Sequence, residues 1–299
     1  MTATKRTGGS QPGILLATDL SFRCDRALDR VVQLARQWRT RIVALHVLEQ
    51  TAEMIEARRR WDLPSWRRPA DPAFIARRQL RAEMRDTGVH MTVLVKEGDP
   101  AEMIAQIAAQ QGCGLIVTGI ARDETFGRFV LGTTVERLVR QADTPVLVVK
   151  NRVHGGYRHV VVATDFSDAA RRALETAVRL FPEASFTLFH AYDILYGGLI
   201  DVERQHDSFR QSATDRGTAF LAAADIPAAV RPLIRTQIEY GTPAAELNDY
   251  AQQTGADLVV LGSSGRGGVL AMLIGSTAGR ILAALPCDAM ILREPRAAG

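Results

Sequence analysis

An internal repeat constrains this 299-residue chain more than any other feature of its sequence. An apolar run that ends in Thr-Asp, one residue before a Ser, occurs at Ile14 and again at Val160. Three further matches follow in the same order, and they are IVALHVLE with FTLFHAYD, EGDPAEMI with YGTPAAEL, and LIVTG with LVVLG. The matching segments keep nearly the same spacing over a whole half, which indicates that one half arose by duplication of the other. We therefore predict two domains, 1–150 and 151–299, joined by a short polar stretch at 151–157.

Within each half, short apolar segments alternate with amphipathic helical patterns. Ser21 is predicted to cap a helix that reaches about Trp38, and Ser167 or Asp168 to cap the matching helix of the second half. Further helices are expected to start after Pro100 and Pro243. The two halves are expected to end in strands at Val146–Val149 and Ala289–Leu292. This alternation predicts an α/β fold in which each half is a doubly wound parallel sheet covered by helices on both faces.

A glycine-rich stretch follows the buried strand predicted at Leu258–Leu261. The strand breaks at Gly262 into Ser-Ser-Gly-Arg-Gly-Gly, and Gly275-Ser276-Thr277 precede a helical pattern. Glycines let backbone N–H groups turn toward one point without a Cβ in the way. A helix that begins at Ser276 adds unpaired N–H groups and the positive end of its dipole. The stretch therefore predicts an anion cradle, and phosphate is the anion that fits it best.

Two familiar phosphate loops do not fit this stretch. A Walker A loop is excluded because the chain contains no Gly-Lys-Ser/Thr. A dinucleotide fingerprint follows the first strand of its unit, whereas this loop follows a late strand. Ligands of parallel α/β sheets bind beyond the carboxyl ends of the strands, so Asp165, Ala191 and Gly262 are expected to converge on one crevice.

The complete spacing Gly262-x2-Gly265-x9-Gly275-Ser276 resembles that of the ATP-binding members of the universal stress protein family, and the resemblance covers essentially the whole chain. It implies two tandem repeats of a doubly wound, five-stranded parallel sheet. It also implies ATP, with or without Mg²⁺, as the ligand, and a regulatory or stress-protective role. On this sequence the implied nucleotide-binding residues are Ala163, Thr164, Asp165, Ala191, Gly262, Gly265, Arg266, Gly275, Ser276 and Thr277.

Some of these residues have structural alternatives. Asp165 can accept hydrogen bonds from ribose hydroxyls or an adenine amino group, or it can cap the helix after Phe166. Ser276 can bind a phosphate oxygen through its hydroxyl and its backbone N–H. Arg266 can add positive charge over the phosphates, or it can be a solvated loop residue.

The first half departs from this pattern. Arg122 stands where the second half has Gly265, and Asp123-Glu124 stand where it has Arg266-Gly267. Two carboxylates at the mouth of an anion cradle repel phosphate, and Arg122 places a side chain where backbone should approach the ligand. We therefore expect a degenerate site in the first half and one nucleotide per chain.

Other functions are weighed against nucleotide binding. Nine arginines with Trp61 and Trp66 between Arg58 and Arg85 could grip nucleic acid or a protein, but interspersed carboxylates favour a solvated face. Slow ATP hydrolysis or phosphotransfer stays open. However, no base is placed near the cradle, so no catalytic residue is assigned. The histidines show no metal-ligand spacing, and His46 and His190 occupy repeat positions that favour a structural role.

Location and assembly are read from the remaining features. The cysteines Cys24, Cys113 and Cys287 are odd in number and scattered, which is typical of reduced thiols in the cytoplasm. No apolar run approaches the roughly 20 residues that span a bilayer. The two halves are expected to form an intramolecular pseudo-dimer through their terminal strands, and a further homodimer stays open.

Overall fold

The structure is a computed structural model that describes most of the chain. The described residues are 12–21, 24–49, 71–85, 87–122, 129–130, 132–192, 202–263, 282 and 284–294. In the first half they form five strands and four helices, in the order β1 (Gly13–Ala17), α1 (Asp25–Trp38), β2 (Ile42–Leu48), α2 (Pro72–Glu83), β3 (Met91–Glu97), α3 (Pro100–Gln110), β4 (Cys113–Gly119), α4 (Thr133–Gln141) and β5 (Val146–Val149).

The second half repeats this order over its described part. Its elements are β6 (His159–Ala163), α5 (Asp168–Leu180), β7 (Ser185–Tyr192), α6 (Val202–Ala223), β8 (Arg235–Tyr240), α7 (Pro243–Thr254), β9 (Leu258–Ser263) and β10 (Asp288–Arg293). Two small features lie outside the repeat, a two-residue antiparallel ladder between 121–122 and 129–130 and a short 3₁₀ turn at Arg231–Leu233.

All ten strands belong to one sheet, in the order β8-β7-β6-β9-β10-β5-β4-β1-β2-β3. Within each half the strands are parallel, which gives the five-stranded doubly wound arrangement that the resemblance implies. The halves meet at β5 and β10, which pair antiparallel with Leu147 opposite Met290. The prediction that the terminal strands join the halves is confirmed.

The sheet is buried on both faces, which explains why its central strands read as continuous apolar runs. One face packs Leu16, Val162 and Val260 against α1 and α5, and the other packs Leu15, Val161 and Val259 against α3 and α7. Each of these strand residues is at most 1% exposed. The alternation of faces along a strand therefore fixes which residues can reach a site at the strand ends.

Helix starts follow the predicted caps with one exception. Ser167 is the N-cap of α5 and accepts a hydrogen bond from the N–H of Ala170 at 3.3 Å. The prediction for Ser21 is wrong, because α1 begins at Asp25 with Cys24 as N-cap. The backbone N–H and the hydroxyl of Ser21 instead donate to the carboxylate of Asp19, which keeps Ser21 in the turn after β1.

A buried polar network links the two halves beside the β5–β10 seam. Asp288 is 1% exposed, and its Oδ1 accepts hydrogen bonds from the N–H groups of Lys150 and Asn151 at 2.8 and 3.0 Å. Its Oδ2 accepts from the Tyr157 hydroxyl at 2.6 Å and lies 3.5 Å from Nε of Arg30. This carboxylate from the second half therefore holds α1 of the first half and the junction together.

Lys150 is fully buried at the same junction. Its Nζ donates to the carbonyl oxygens of Leu282 and Leu285, the latter at 2.8 Å. Burial lowers the pKa of Lys150 from 10.5 to about 8, although Cys287 and Asp288 nearby act in the opposite direction. The ammonium group thus occupies a site whose desolvation disfavours the charge.

Candidate nucleotide site

The strand register of the second half brings predicted site residues to one end of the sheet. β6 lies between β7 and β9, with Ala163 opposite Phe189 on one side and Leu261 on the other. The chain continues from these positions into the residues Thr164, Asp165, Ala191 and Gly262. This end of β6 is the point where connections leave the sheet in opposite directions, which is the usual ligand position in such folds.

The turn after β6 is held by two side chains. The hydroxyl of Thr164 accepts a hydrogen bond from the N–H of Phe166 at 2.8 Å, and Oδ1 of Asp165 accepts one from the N–H of Ser167 at 3.0 Å. Phe166 has a φ of 65°, which is uncommon for a residue with a side chain, so these bonds support a strained backbone. Asp165 therefore has a structural duty in the turn. A ligand contact through its carboxylate stays a prediction.

The same turn occurs in the first half. Its residues are Thr18, Asp19, Leu20 and Ser21, and they make the matching hydrogen bonds. Leu20 has a φ of 63°, close to that of Phe166. The repeat therefore preserves backbone geometry at both strand ends, including the unusual conformation.

A histidine fixes each strand end. Nδ1 of His190 lies 2.8 Å from the carbonyl oxygen of Thr164, and Nδ1 of His46 lies 2.9 Å from that of Thr18. A carbonyl oxygen only accepts, so Nδ1 carries the proton in both. Burial lowers the pKa of His190, which favours the neutral form of its ring. These contacts agree with the structural role predicted for the two histidines.

Gly262 is required by packing. A Cβ at this position would lie 2.4 Å from the carbonyl oxygen of Ala169 and 2.7 Å from the N–H nitrogen of Ala170, both in the first turn of α5. Backbone therefore touches backbone here, and no other residue fits without moving the helix. The glycine that begins the predicted phosphate cradle thus has a structural reason to be present, independent of any ligand.

The rest of the second-half cradle lies outside the described residues. This applies to Gly265, Arg266, Gly275, Ser276 and Thr277. In the first half it applies to Asp123 and Glu124 and to the side chain of Arg122. The contrast between a complete and a degenerate loop therefore stays a prediction from the sequence.

A cavity of about 270 Å³ occupies the corresponding place in the first half. It lies between the carboxyl ends of β1, β2 and β4 and the first turns of α3 and α4. The counterparts there of the predicted site residues Ala163, Thr164, Asp165, Ala191, Gly262, Gly275 and Thr277 are Ala17, Thr18, Asp19, Val47, Gly119, Gly132 and Thr134. The first half therefore has a cavity at a strand end whose loop keeps the first and third glycines of the pattern and has Arg122 in place of the second.

Cys24 lines this cavity and donates from Sγ to Oδ1 of Asp19 at 3.2 Å. Burial raises the pKa of the Cys24 thiol to about 11, so it is protonated at neutral pH. Burial also raises the pKa of Asp19, but hydrogen bonds from Ser21 and Cys24 outweigh it and leave that pKa below its usual value. Asp19 therefore brings a carboxylate to the cavity.

An ion pair lies at the mouth of the cavity. Nη1 of Arg137, in α4, lies 2.6 Å from Oδ2 of Asp99, the N-cap of α3. The hydrogen bond from Arg137 lowers the pKa of Asp99. This pair connects the starts of the two helices that form one wall. No local sequence pattern indicates this pair, although Thr242 at the matching repeat position marks residue 99 as a difference between the halves.

A second contact that the sequence analysis missed lies beside the second-half strand ends. Arg216, in α6, donates to the carbonyl oxygen of Asp165 at 3.3 Å. Its guanidinium lies 4.8 Å from the centre of the Phe166 ring, which in turn packs 4.5 Å from the His190 ring. The sequence offers no signal for this contact, because Arg216 is about 50 residues away on a polar helix.

The described part of the chain gives limited information on the alternative sites, namely the arginine-rich segment, a metal cluster and a membrane-spanning helix. Arg58 to residue 70 lies outside it, whereas Arg77, Arg78 and Arg81 are exposed on α2, as expected of a solvated face. Within the described ranges no three metal-ligating side chains come together. None of the helices described here combines the length and the apolar character needed to cross a membrane.

Comparison with known proteins identifies the family. The sequence model of the universal stress protein family matches twice, at residues 13–150 and 156–293. The chain is 29% identical over 147 residues to universal stress protein YxiE of Bacillus subtilis, covering 46% of this chain and 99% of that one. It is 25% identical over 209 residues to universal stress protein E of Escherichia coli K12, covering 65% of each.

The fold comparison agrees over nearly the full length. A crystal structure of a universal stress protein from Archaeoglobus fulgidus superposes with a TM-score of 0.64 at 21% identity, covering 95% of this chain and 98% of the other. At that identity the likeness concerns the fold alone. Together with the two matches of the family's sequence model, it shows that this chain belongs to the universal stress protein family as a tandem, two-domain member.

Proposed function

We propose that the second half, 151–299, binds ATP, with or without Mg²⁺, and that the protein has a regulatory or stress-protective role in the cytoplasm. Ala163, Thr164, Asp165 and Ala191 bind the adenosine part. The phosphates lie on Gly262, Gly265, Gly275 and Ser276, with Arg266 and Thr277 beside them. The observation that carries the proposal is the complete glycine spacing that starts where β9 ends, next to β6 at the switch point.

The described first half supports the geometry expected for the cradle. Its helix α4 begins at Thr133, directly after Gly132, and these are the counterparts of Ser276 and Gly275. Because glycine has no side chain, the first N–H groups of such a helix receive no capping oxygen from their own N-cap. A phosphate on the second-half helix would supply the missing acceptors and meet the positive end of the dipole.

The proposal is one of binding without efficient catalysis. No acidic residue or histidine follows Gly262 within the cradle, so the loop provides no base to activate water. The free thiols of Cys24, Cys113 and Cys287 fit a reducing compartment. The alternative functions are weak ATP hydrolysis and an interaction with nucleic acid or protein through residues 58–85. Phosphate release measured on the purified chain tests for hydrolysis.

Titration of the full chain with ATP tests the proposal. We expect one site per chain, and Gly265→Val should abolish it because a branched side chain occupies the place of the phosphates. Ser276→Ala removes one hydrogen bond to a charged group, so affinity should fall roughly 10- to 150-fold. At about 100 times the dissociation constant, ATP should raise the melting temperature by roughly 5–10 °C.

The matched control is Arg122→Gly, which introduces a glycine at the equivalent position of the first half. It should leave the single ATP site unchanged, because Asp123 and Glu124 still repel phosphate. An ATP-induced melting shift that persists in Gly265→Val would place the ligand elsewhere and overturn the proposal. Identification of nucleotide released on denaturing the purified protein gives an independent check.

A further inference from the structure

We propose that the outer side of α2 is a docking surface for the anionic surface of a lipid bilayer. This surface, called the α2 face, consists of Phe74, Ile75, Arg78 and Arg81 on the helix and Arg85 in the turn after it. The α2 face belongs to the first half and shares no residue with the glycine-rich cradle of the second half. Docking and ATP binding can therefore fail separately.

The inner side of α2 is fixed by packing, and this determines which residues face solvent. Ala76, Leu80 and Met84 are at most 9% exposed, and Leu80 and Met84 belong to the core on this face of the sheet. They recur every four residues, so they mark one side of the helix. Positions 74, 78, 81 and 85 are spaced by four, three and four residues and lie along a second side, which is exposed.

Two large apolar side chains are exposed at the start of the α2 face. Phe74 is 63% exposed, and Ile75 beside it is 50% exposed. Among the residues that the structure describes, neither packs against either face of the sheet. The fold therefore gives no packing reason for this pair, and adjacent exposed apolar side chains bordered by charged residues are typical of an interaction site.

The rest of the α2 face is cationic. Arg78, Arg81 and Arg85 are exposed, and no carboxylate of the described ranges forms an ion pair with them. The carboxylates at the two ends of the helix, Asp71 and Glu83, accept hydrogen bonds from a backbone N–H and a side-chain amide of α2 itself. These three guanidinium groups are therefore available to an external anion.

The combination of apolar and cationic side chains favours a bilayer over nucleic acid. Nucleic acid is bound by arginines and stacking aromatic rings, and it offers no partner for the aliphatic side chain of Ile75. At a bilayer interface, aromatic and aliphatic side chains enter the boundary of the acyl chains while arginines contact lipid phosphates. The cytoplasmic leaflet of a membrane carries anionic lipids, which complement the charge of the α2 face.

The matching helix of the second half lacks both properties. α6 carries three arginines and three carboxylates, so it has no excess of positive charge. Its exposed aromatic residue, Phe209, stacks on Tyr192 with the ring centres 6.0 Å apart. The side chain of Arg216 is held by the carbonyl oxygen of Asp165. The cationic and apolar surface is therefore a feature of the first half and not of the repeat.

Sedimentation of the full-length chain with lipid vesicles tests the proposal. The vesicles contain phosphatidylcholine alone or phosphatidylcholine with an equal part of phosphatidylglycerol. We expect binding to the anionic vesicles, none to the neutral ones, and weaker binding as salt rises. Changing Arg78, Arg81 and Arg85 together to Gln should weaken binding by about 100-fold, at about fivefold per arginine. Phe74→Ser with Ile75→Ser should weaken it by roughly tenfold.

The second half provides matched controls. Changing Arg152, Arg210 and Arg235 together to Gln removes the same charge from exposed positions, and Leu233→Ser removes an apolar side chain that is 72% exposed. Both controls should bind anionic vesicles like the wild type. All the changed side chains are exposed, so every variant should keep the wild-type melting temperature. If one set of changes in α2 lowers it, the other set decides.

Three outcomes would overturn the proposal. The first is no sedimentation of the wild type with anionic vesicles at low salt. The second is an equal loss of binding in the second-half arginine control, which would mean that net charge and not the α2 face is responsible. The third is binding of single-stranded RNA or duplex DNA that is lost with the three α2 arginines and kept in Phe74→Ser with Ile75→Ser, in a chain that leaves the vesicles unbound. That result would assign the α2 face to nucleic acid.

Discussion

Lys150 should give the protein an unusual dependence of stability on pH. The pKa of its buried ammonium is about 8 in the folded state and 10.5 ordinarily. Between these values the unfolded chain binds more protons than the folded chain, so the free energy of unfolding contributed by Lys150 rises with pH. Each pKa unit corresponds to about 1.4 kcal/mol, which gives a rise of about 1.4 kcal/mol between pH 7 and pH 9.

Other buried groups act in the opposite direction at higher pH. Burial raises the pKa of Cys287 to about 12 and that of Cys24 to about 11, so the unfolded chain loses these protons first. The stability contributed by these thiols is therefore lost as pH rises above about 9. The contribution of Lys150 is best isolated as the difference between the wild type and Lys150→Met, in which the thiols are kept.

Denaturant unfolding or calorimetry between pH 7 and pH 9, under reducing conditions, measures this difference. Between pH 7 and pH 9 the free energy of unfolding of the wild type should rise by about 1.4 kcal/mol more than that of Lys150→Met. This corresponds to a change of roughly 3–6 °C in the difference between their melting temperatures. Lys96→Met, at an exposed position of β3, is the control and should keep the wild-type profile. Parallel profiles for the wild type and Lys150→Met would refute the reasoning.

Three further predictions concern packing and ligand binding. Asp288→Asn should destabilise the folded state by roughly 3–5 kcal/mol in thermal unfolding, because it leaves the buried guanidinium of Arg30 without its carboxylate; a loss below 1 kcal/mol would contradict that role. Gly262→Ala should lower the free energy of unfolding of the ligand-free protein by roughly 1–3 kcal/mol, since the added Cβ meets the backbone of α5. A melting temperature equal to that of the wild type would show that α5 moves to admit the Cβ at no cost in stability. Phosphate release from ATP should stay at background, and a sustained turnover that disappears in Gly265→Val would reinstate the enzymatic alternative.

The sequence contained enough to predict the architecture because the repeat and the apolar strands are local patterns. Each strand is a short apolar run, and the order of runs and helices fixes a parallel sheet in each half. The seam at β5 and β10 was also predictable, since a terminal apolar strand needs a covered edge. The start of α1 was not, because the hydroxyl of Ser21 can cap a helix or join the turn built by Asp19, and the sequence does not decide between the two.

The sequence could not separate packing from binding at the strand ends. Gly262 is explained equally well by a phosphate loop and by the contact with α5, and only coordinates reveal the second reason. The pair Asp99–Arg137 joins residues 38 positions apart, which no local pattern displays. Such long-range contacts arise from the way α3 and α4 pack, so they become visible only in three dimensions.

The shared turn at the ends of β1 and β6 shows which residues can distinguish the two halves. Thr18 and Thr164 make the same hydrogen bond to a residue with positive φ, so the Thr-Asp pair is kept in both halves by backbone geometry. A residue that the fold requires in both copies carries no information about which copy binds a nucleotide.

The difference must lie at positions where the two halves differ in sequence, and Gly265 against Arg122 is one such pair. Asp99 against Thr242 is another, and it changes the charge at the mouth while both residues precede a helix that begins with proline. The selectivity of each half should therefore follow these two positions rather than the Thr-Asp motif.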